Sequence, residues 1–350
     1  MIPYVELKDK YSLKTVALVE PQECWFELSY QDVGEFEVYC KATPENLKAL
    51  QKGRYVTIPN KRFIWVISSI KYTFTAGGSR MILAHGYEAK WLLHKRCILT
   101  PTELQGTISI AVYMLVNYAL GVRASEERKI TGFTSYANDL LIDISGTQAP
   151  RGNLLEFVNT LLKTYNCGST VEFINGALKY KVFTGAVKTR SVRFSQSLDN
   201  LLSSEYLTDD SNIATYAQVV STVDDKEYTQ EYNTGNTGID RAEIVVESNL
   251  STKYEDANGV EQETTPDSAL YKGWLIEEGK NKLAEFVTVE DINGVIDVPN
   301  SNYKFDEDFF IGDLVRIQDE YFNFYVDTRI LKYTFKQDAN GYGEEAEYGR

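Results

Sequence analysis

Gly34-Glu35-Phe36-Glu37-Val38 and Gly294-Val295-Ile296-Asp297-Val298 are one pattern written twice, a glycine leading a short alternating run, 260 residues apart. Two further pairs keep the same order along the chain. Gly53-Arg54-Tyr55-Val56-Thr57-Ile58 returns as Gly312-Asp313-Leu314-Val315-Arg316-Ile317 at an offset of 259, and Ile70-Lys71-Tyr72-Thr73-Phe74 returns as Leu331-Lys332-Tyr333-Thr334-Phe335 at 261. One such echo means little, because short strands resemble each other by composition. Three that are collinear and nearly in register predict a duplicated β unit over 13–95 and 240–350 rather than a solenoid of short repeats. The expected fold is mainly β with an α+β insertion: two similar antiparallel β-barrels and a smaller helix-and-hairpin domain. The boundaries drawn are 1–95 for the first barrel, 96–195 for the insertion, and 196–350 for the second barrel with one peripheral helix and connecting segments.

Around these echoes the chain reads as alternating strands. Trp25 to Tyr30 and Gly34 to Tyr39 form a hairpin, and residues 44–50 form a short helix stopped by Gly53. A long strand over 63–74 is expected to hold Ile64, Val66, Ser68, Ile70, Tyr72 and Phe74 on one face before Gly77-Gly78 turns it. From Pro101 the period changes: apolar residues at 104, 108, 112, 115, 116 and 119 make a one-sided helical stripe, and Leu154, Leu155, Val158, Leu161 and Leu162 make another. Asn175-Gly176 predicts a hairpin turn, with Asn258-Gly259, Asn293-Gly294 and Asn340-Gly341 as further turn candidates. Strands resume at 190–194, 217–222 and 242–247, and Pro266-Asp267-Ser268 opens a helix.

Composition narrows the function. With 350 residues, 43% hydrophobic, 24 Tyr, 16 Phe and 4 Trp, the chain has more aromatic surface than a disordered segment could leave in water and more length than one core needs. The formal charge of −14 argues against holding nucleic acid through its phosphates. It is unevenly spread: residues 1–200 carry 24 basic and 18 acidic side chains, net +6, and residues 201–350 carry 12 and 32, net −20. Such polarity favours head-to-tail contact between copies. The N-terminus shows no signal-peptide pattern, and no stable membrane association is expected, because the longest uncharged run is one-sided.

Catalytic chemistry finds little support. His85 and His94 lie near Cys97, yet His85 is in a strand and His94 in an irregular segment beside basic residues, so structural histidines are expected. Cys24, Cys40, Cys97 and Cys167 form no CxxC pair and read as free thiols. The acidic pairs Asp209-Asp210, Asp224-Asp225 and Glu277-Glu278, and the run Asp306-Glu307-Asp308, read as solvated charge. Asp256 to Gly259 and Asp338 to Gly341 lack full calcium-loop spacing, and no phosphate loop, GxGxxG turn or HExxH occurs. No enzyme, cofactor or metal is expected.

Gly34-Glu35-Phe36-Glu37-Val38, Gly53-x-Tyr55-Val56-x-Ile58, His85-Gly86-Tyr87-Glu88, Leu92-Leu93-x-x-Arg96, Ile311-Gly312-Asp313-Leu314-Val315, Arg329-Ile330 and Tyr348-Gly349 together resemble the siphophage tail-hub family. That family comprises the Gp37-like proteins and the hub part of tail-associated lysins, and is similar to the central baseplate hub of contractile phages. The resemblance implies a virion protein made in the host bacterial cytoplasm: a homotrimer whose two tail-tube-like barrels per chain make a pseudo-sixfold ring. Implied partners are a distal tail or tail-tube protein, the tape-measure protein, a tip, fibre or spike protein, and DNA only in transit. Asp224, Asp225, Glu227 and Glu231 are candidates for the channel lining, in loops of the second barrel. Many relatives continue into a peptidoglycan hydrolase; here the chain stops at Arg350 after the last strand, so lytic activity is expected elsewhere. A hydrolase component and a carbohydrate- or receptor-binding protein are the alternatives.

Overall fold

The alternating runs fold as strands of one large sheet in the computed structural model, which describes residues 1–350 except 75–77, 79, 210, 257–258, 287–288, 322–323 and 350. Seven of its thirteen strands come early: β1 (Val5–Lys8), β2 (Thr15–Val19), β3 (Glu23–Ser29), β4 (Glu35–Lys41), β5 (Tyr55–Thr57), β6 (Trp65–Phe74) and β7 (Arg80–Glu88). Six come late: β8 (Arg193–Ser195), β9 (Leu201–Asp209), β10 (Val289–Asp297), β11 (Leu314–Asp319), β12 (Phe324–Asp338) and β13 (Gly341–Gly349). Neighbours run β9-β10-β13-β12-β3-β4-β7-β6-β5-β1-β2, with β11 on the other half of β12 and β8 parallel to β11. Strand makes up 45% of the chain and helix 17%, so the protein is mainly β.

The duplication is visible in this order. The first copy is β3-β4-β7-β6-β5 and the second is β9-β10-β13-β12-β11, the same five-strand arrangement visited in the same sequence. Equivalence extends to single residues. Gly53 and Gly312 both take left-handed backbone angles, φ 84° and 85°. The N–H of Gly53 donates to Ile67 O at 2.8 Å, and Ile67 returns a bond to Arg54 O at 3.0 Å; Gly312 and Ile330 do the same, with Asp313 O accepting at 3.0 Å. Each ladder then shifts register by one residue, between Ile67 and Ser69 and between Ile330 and Lys332. One aromatic lies over one glycine at the matching cross-strand pair, but the partners are exchanged: Phe36 opposes Gly86 in the first copy and Tyr348 opposes Gly294 in the second.

The shared backbone device allows a prediction. A Cβ at Gly53 would meet only the Lys10 side chain at 3.4 Å, so Gly53→Ala should cost about 1–2 kcal/mol for the left-handed angle alone. At Gly312 the Cβ would also lie 2.4 Å from the Tyr30 ring. Thermal melts should place Gly312→Ala below Gly53→Ala, and the opposite ranking would contradict the packing described.

Some sequence expectations are corrected, and the two expected barrels are not seen closed within the chain. No closed barrel occurs among the described residues: the ladder is open, because the outer edge of β3 is occupied by β12 of the other copy. The face proposed for 63–74 is broken by the bulge at Ser68. Ile64 and Val66 join the core of the inserted domain, whereas Trp65, Ile67 and then Ile70 pack in the core of the large sheet. Asn293-Gly294 is not a turn; it lies within β10. The Asn175-Gly176 turn is present, with both residues at positive φ, and β12 returns into β13 through Ala339 and Asn340. Asn258 and Gly77 fall outside the described residues.

The short helix α1 (Pro44–Ala49) lies between β4 and β5, and two insertions decorate the sheet. The first, between β7 and β8, holds α2 (Ile108–Ala119), capped by Thr107, and α3 (Leu154–Thr164), capped by Asn153, against the hairpin Gly168–Ile174 and Ala177–Phe183. Its core includes Val112, Val116, Val158 and Leu162. Leu104, expected to open the helical stripe, lies in the short strand Thr102–Leu104. No helix among the described residues is long and apolar enough to cross a membrane. The second insertion fills the hairpin between β9 and β10, a position occupied in the first copy by the tight β3–β4 turn. There Tyr216–Val223 pairs with Lys226–Asn233 and, in parallel, with Glu243–Glu247. Helix α4 (Ala269–Leu283) covers this small sheet with Tyr271, Trp274 and Leu275. The strands expected at 217–222 and 242–247 therefore exist, but belong to a satellite sheet and not to the second copy.

Candidate functional site

The strands of the two copies meet at a seam. Residues Ser29 to Cys24 of β3 pair antiparallel with Lys332 to Gln337 of β12. Its inner face is apolar: Phe26, Leu28, Tyr333 and Phe335 are all fully buried, and Tyr333 stacks on Phe305 at 3.6 Å between ring centroids. On the other face Lys332 Nζ lies 3.3 Å from Glu27 Oε2. Burial pushes the Glu27 carboxyl up and Lys332 pulls it back. That pair is partly exposed, so it contributes at most about 1 kcal/mol, and the seam rests on its ladder and aromatic row.

Tyr30 pins the end of the seam. Its N–H continues the ladder to Leu331 O at 2.8 Å, and its hydroxyl donates to Asn166 O at 2.8 Å in the inserted domain. The ring is approached by Gly168 and Gly312, neither of which has room for a Cβ, and Arg329 lies over it at 5.3 Å.

Beside this corner is a buried ion pair. Lys90 Nζ donates to Ser29 O at 2.5 Å and Ser169 O at 3.0 Å and lies 3.3 Å from Glu88 Oε2, with both side chains 0% exposed. Glu88 accepts from the N–H groups of Ser29 and Gly34, both at 3.3 Å. Burial pushes the Glu88 carboxyl up and the Lys90 ammonium down, and each charge draws the other back. The pair ties β3, the β3–β4 turn and the inserted hairpin to one point. Nothing in the sequence marked Lys90 as buried, because it stands beside the surface-like run His94-Lys95-Arg96.

Several strand edges of the large sheet lack a partner among the described residues, those of β2 and β8 included, and two others, on β9 and β6, are the counterparts of the seam edges. Among the described residues β9 has β10 as its sole neighbour, and β5 accompanies β6 only at Trp65 and Val66. Beyond that point the edge of β6 has no partner strand among the described residues, and Tyr72 and Phe74 are 46% and 73% exposed.

The residues singled out for chemistry are dispersed. His85 Nε2 lies 3.3 Å from Glu35 Oε2 on the sheet, whereas His94 Nδ1 is 3.3 Å from the side-chain amide of Asn153. Cys97 is exposed; Cys24, Cys40 and Cys167 are buried, with desolvation pushing their thiols up to about 12, 11 and 11. Asp224 and Asp225 form the turn of the satellite hairpin at φ 51° and 60°, and Glu227 and Glu231 follow on its second strand. They therefore do not sit in loops of the second copy. Glu278, read as solvated, is instead held by Ser248 Oγ at 2.5 Å, and burial pushes its carboxyl up.

The fold is similar to that of solved phage tail proteins. A tail protein from Neisseria meningitidis MC58 matches at TM-score 0.59 and 13% identity, covering 99% of this chain and 96% of that one. The prophage MuSo2 43 kDa tail protein from Shewanella oneidensis matches at 0.54 and 10%, covering 99% and 96%. Prophage tail protein gp18 from Listeria monocytogenes EGD-e matches at 0.50 and 10%, covering 98% and 94%. No curated protein matches the chain. The chain belongs to the Siphovirus ReqiPepy6 Gp37-like protein family, which matches residues 12–350.

Proposed function

We propose that this phage tail protein is a structural hub without a catalytic role: three copies form a ring of six similar β units around an opening. The ring joins a sixfold tail tube or distal tail ring on one side to a threefold tip, fibre or spike on the other. Tape-measure protein and then DNA pass through it, so the protein acts in the virion. The observation that carries this reading is the residue-level duplication, since a chain with two equivalent units gives a trimer the outline of a hexamer. Each unit, completed by its flanking strand β1 or β8, is the proposed tail-tube-like barrel, closed by strands of neighbouring units rather than on itself.

The net charge of −20 on residues 201–350 suits a passage that does not hold phosphate. Asp224, Asp225, Glu227 and Glu231 are proposed to add to that anionic surface where the satellite sheet borders the opening. Sedimentation of the purified chain, alone and with a distal tail protein, tests the reading. Trimers in either sample are expected. Clearing of peptidoglycan by the pure chain, or glycan binding by a monomer that never assembles, would overturn it in favour of a hydrolase or a receptor-binding protein.

A further inference from the structure

We infer that β9 of one copy of this chain adds to the open edge of β6 in the next copy, repeating between chains the seam that β3 and β12 make within one. This rests on the ring reading above and specifies the joint. Within the chain, β3 is the outer strand of the first unit and β12 is the strand beside the left-handed glycine in the second. The same roles with the units exchanged belong to β9 and β6. Both edges lack a partner strand among the described residues; the outer edges of β2 and β8 do too, but neither is the counterpart of a seam strand.

The ladders fix the register. Counting from the two equivalent bulges, Tyr72 of β6 stands where Phe335 stands in β12, and Lys71 where Thr334 stands. Passing across β7 and β4, and across β13 and β10, places Ser204 of β9 where Phe26 stands in β3, and Glu205 where Glu27 stands. Phe335 pairs with Phe26 and Thr334 with Glu27. The intermolecular ladder therefore pairs Tyr72 with Ser204, Thr73 with Ser203 and Lys71 with Glu205.

Two independent features suit that register. Lys71 and Glu205 are opposite charges, both exposed, and would stand directly across the joint. Tyr72 is 46% exposed in a position whose counterpart, Phe335, is 0% exposed under the internal seam. Because β9 and β6 are different surfaces, the contact is head-to-tail and can close a ring.

Cysteine pairing tests it in the full chain carrying Cys97→Ser. Mixing the single variants Lys71→Cys and Glu205→Cys under mild oxidation should give a linked dimer, and neither variant alone should. The double variant should give linked trimers, while Lys71→Cys with Ser203→Cys, out of register, should link at least ten-fold less. Lys71→Glu should weaken self-association about two- to five-fold per joint, with recovery on adding Glu205→Lys. Trimers by mass that fail to link would overturn this joint and leave the hub reading standing. Linked chains that grow past three would support the joint and overturn the closed ring. Neither trimers nor links, with the distal tail protein present as well as without it, would overturn both.

Discussion

Lys90→Ala should lower the free energy of unfolding by about 3–5 kcal/mol. The ammonium is fully buried and holds two backbone carbonyls, Ser29 O and Ser169 O, besides facing Glu88. Removing it leaves a buried carboxylate without a counter-charge and two acceptors without a donor, and those uncompensated groups account for most of the cost. Replacing both partners, Glu88→Gln with Lys90→Met, should recover part of the loss, because the stranded charge is gone. The variant should also show a definite pH dependence. With Lys90 absent, only the N–H groups of Ser29 and Gly34 still oppose burial, which is the largest effect on Glu88 and raises its folded-state pKa above the unfolded value. A carboxyl raised in that way destabilises the fold above its unfolded pKa and ceases to do so as it protonates. The gap between wild type and Lys90→Ala should therefore narrow as the pH is lowered from 7 towards 5. Urea titrations at the two pH values measure it; a loss below about 1 kcal/mol, or a gap that widens in acid, would show that the pair does not hold this corner.

Gly86→Ala and Gly294→Ala should each cost about 3 kcal/mol or more, because the new methyl meets backbone that cannot move aside. A Cβ at Gly86 would lie 1.9 Å from Val66 O and 2.7 Å from the Phe36 ring; at Gly294 it would lie 2.2 Å from both Ser203 O and the Tyr348 hydroxyl. Both glycines sit mid-strand, where the ladder fixes the distance to the next chain. Gly273 in α4 provides the contrast, with nothing within 4 Å of its Cβ position. Gly273→Ala should stabilise the helix by about 0.5–1 kcal/mol. Denaturant midpoints for the three variants test the pattern; equal effects in sheet and helix would contradict the exchanged aromatic-glycine pairs.

Much of the fold was legible because glycine and period-two alternation are strong local signals. The Gly53 and Gly312 echo holds at its sequence offset of 259, since a left-handed glycine fixes its position in the ladder. The other two echoes identify the right strands but slip by two residues: Ile70 corresponds to Tyr333 rather than Leu331, and Phe36 rather than Gly34 corresponds to Gly294. A slip of two leaves every side chain on its own face, so composition cannot detect it. The bulge at Ser68 does change faces, but a single extra residue carries no signature when its neighbours are Ile and Ser.

Sheet membership was the larger gap. Residues 217–222 and 242–247 read as strands and are strands, but nothing in a short alternating run says which sheet it joins. The internal seam was also out of reach, because it depends on the outer edge of a strand, and edges belong to the assembled sheet rather than to the residues. Cys97 and His94 were near each other in sequence, yet His94 is turned towards Asn153, which sequence distance could not reveal.

End-on electron micrographs of the assembled protein test the central claim most directly. Three chains, each with two equivalent β units, should average to six similar lobes around a central opening. A two-fold particle, or a ring with three lobes only, would contradict it.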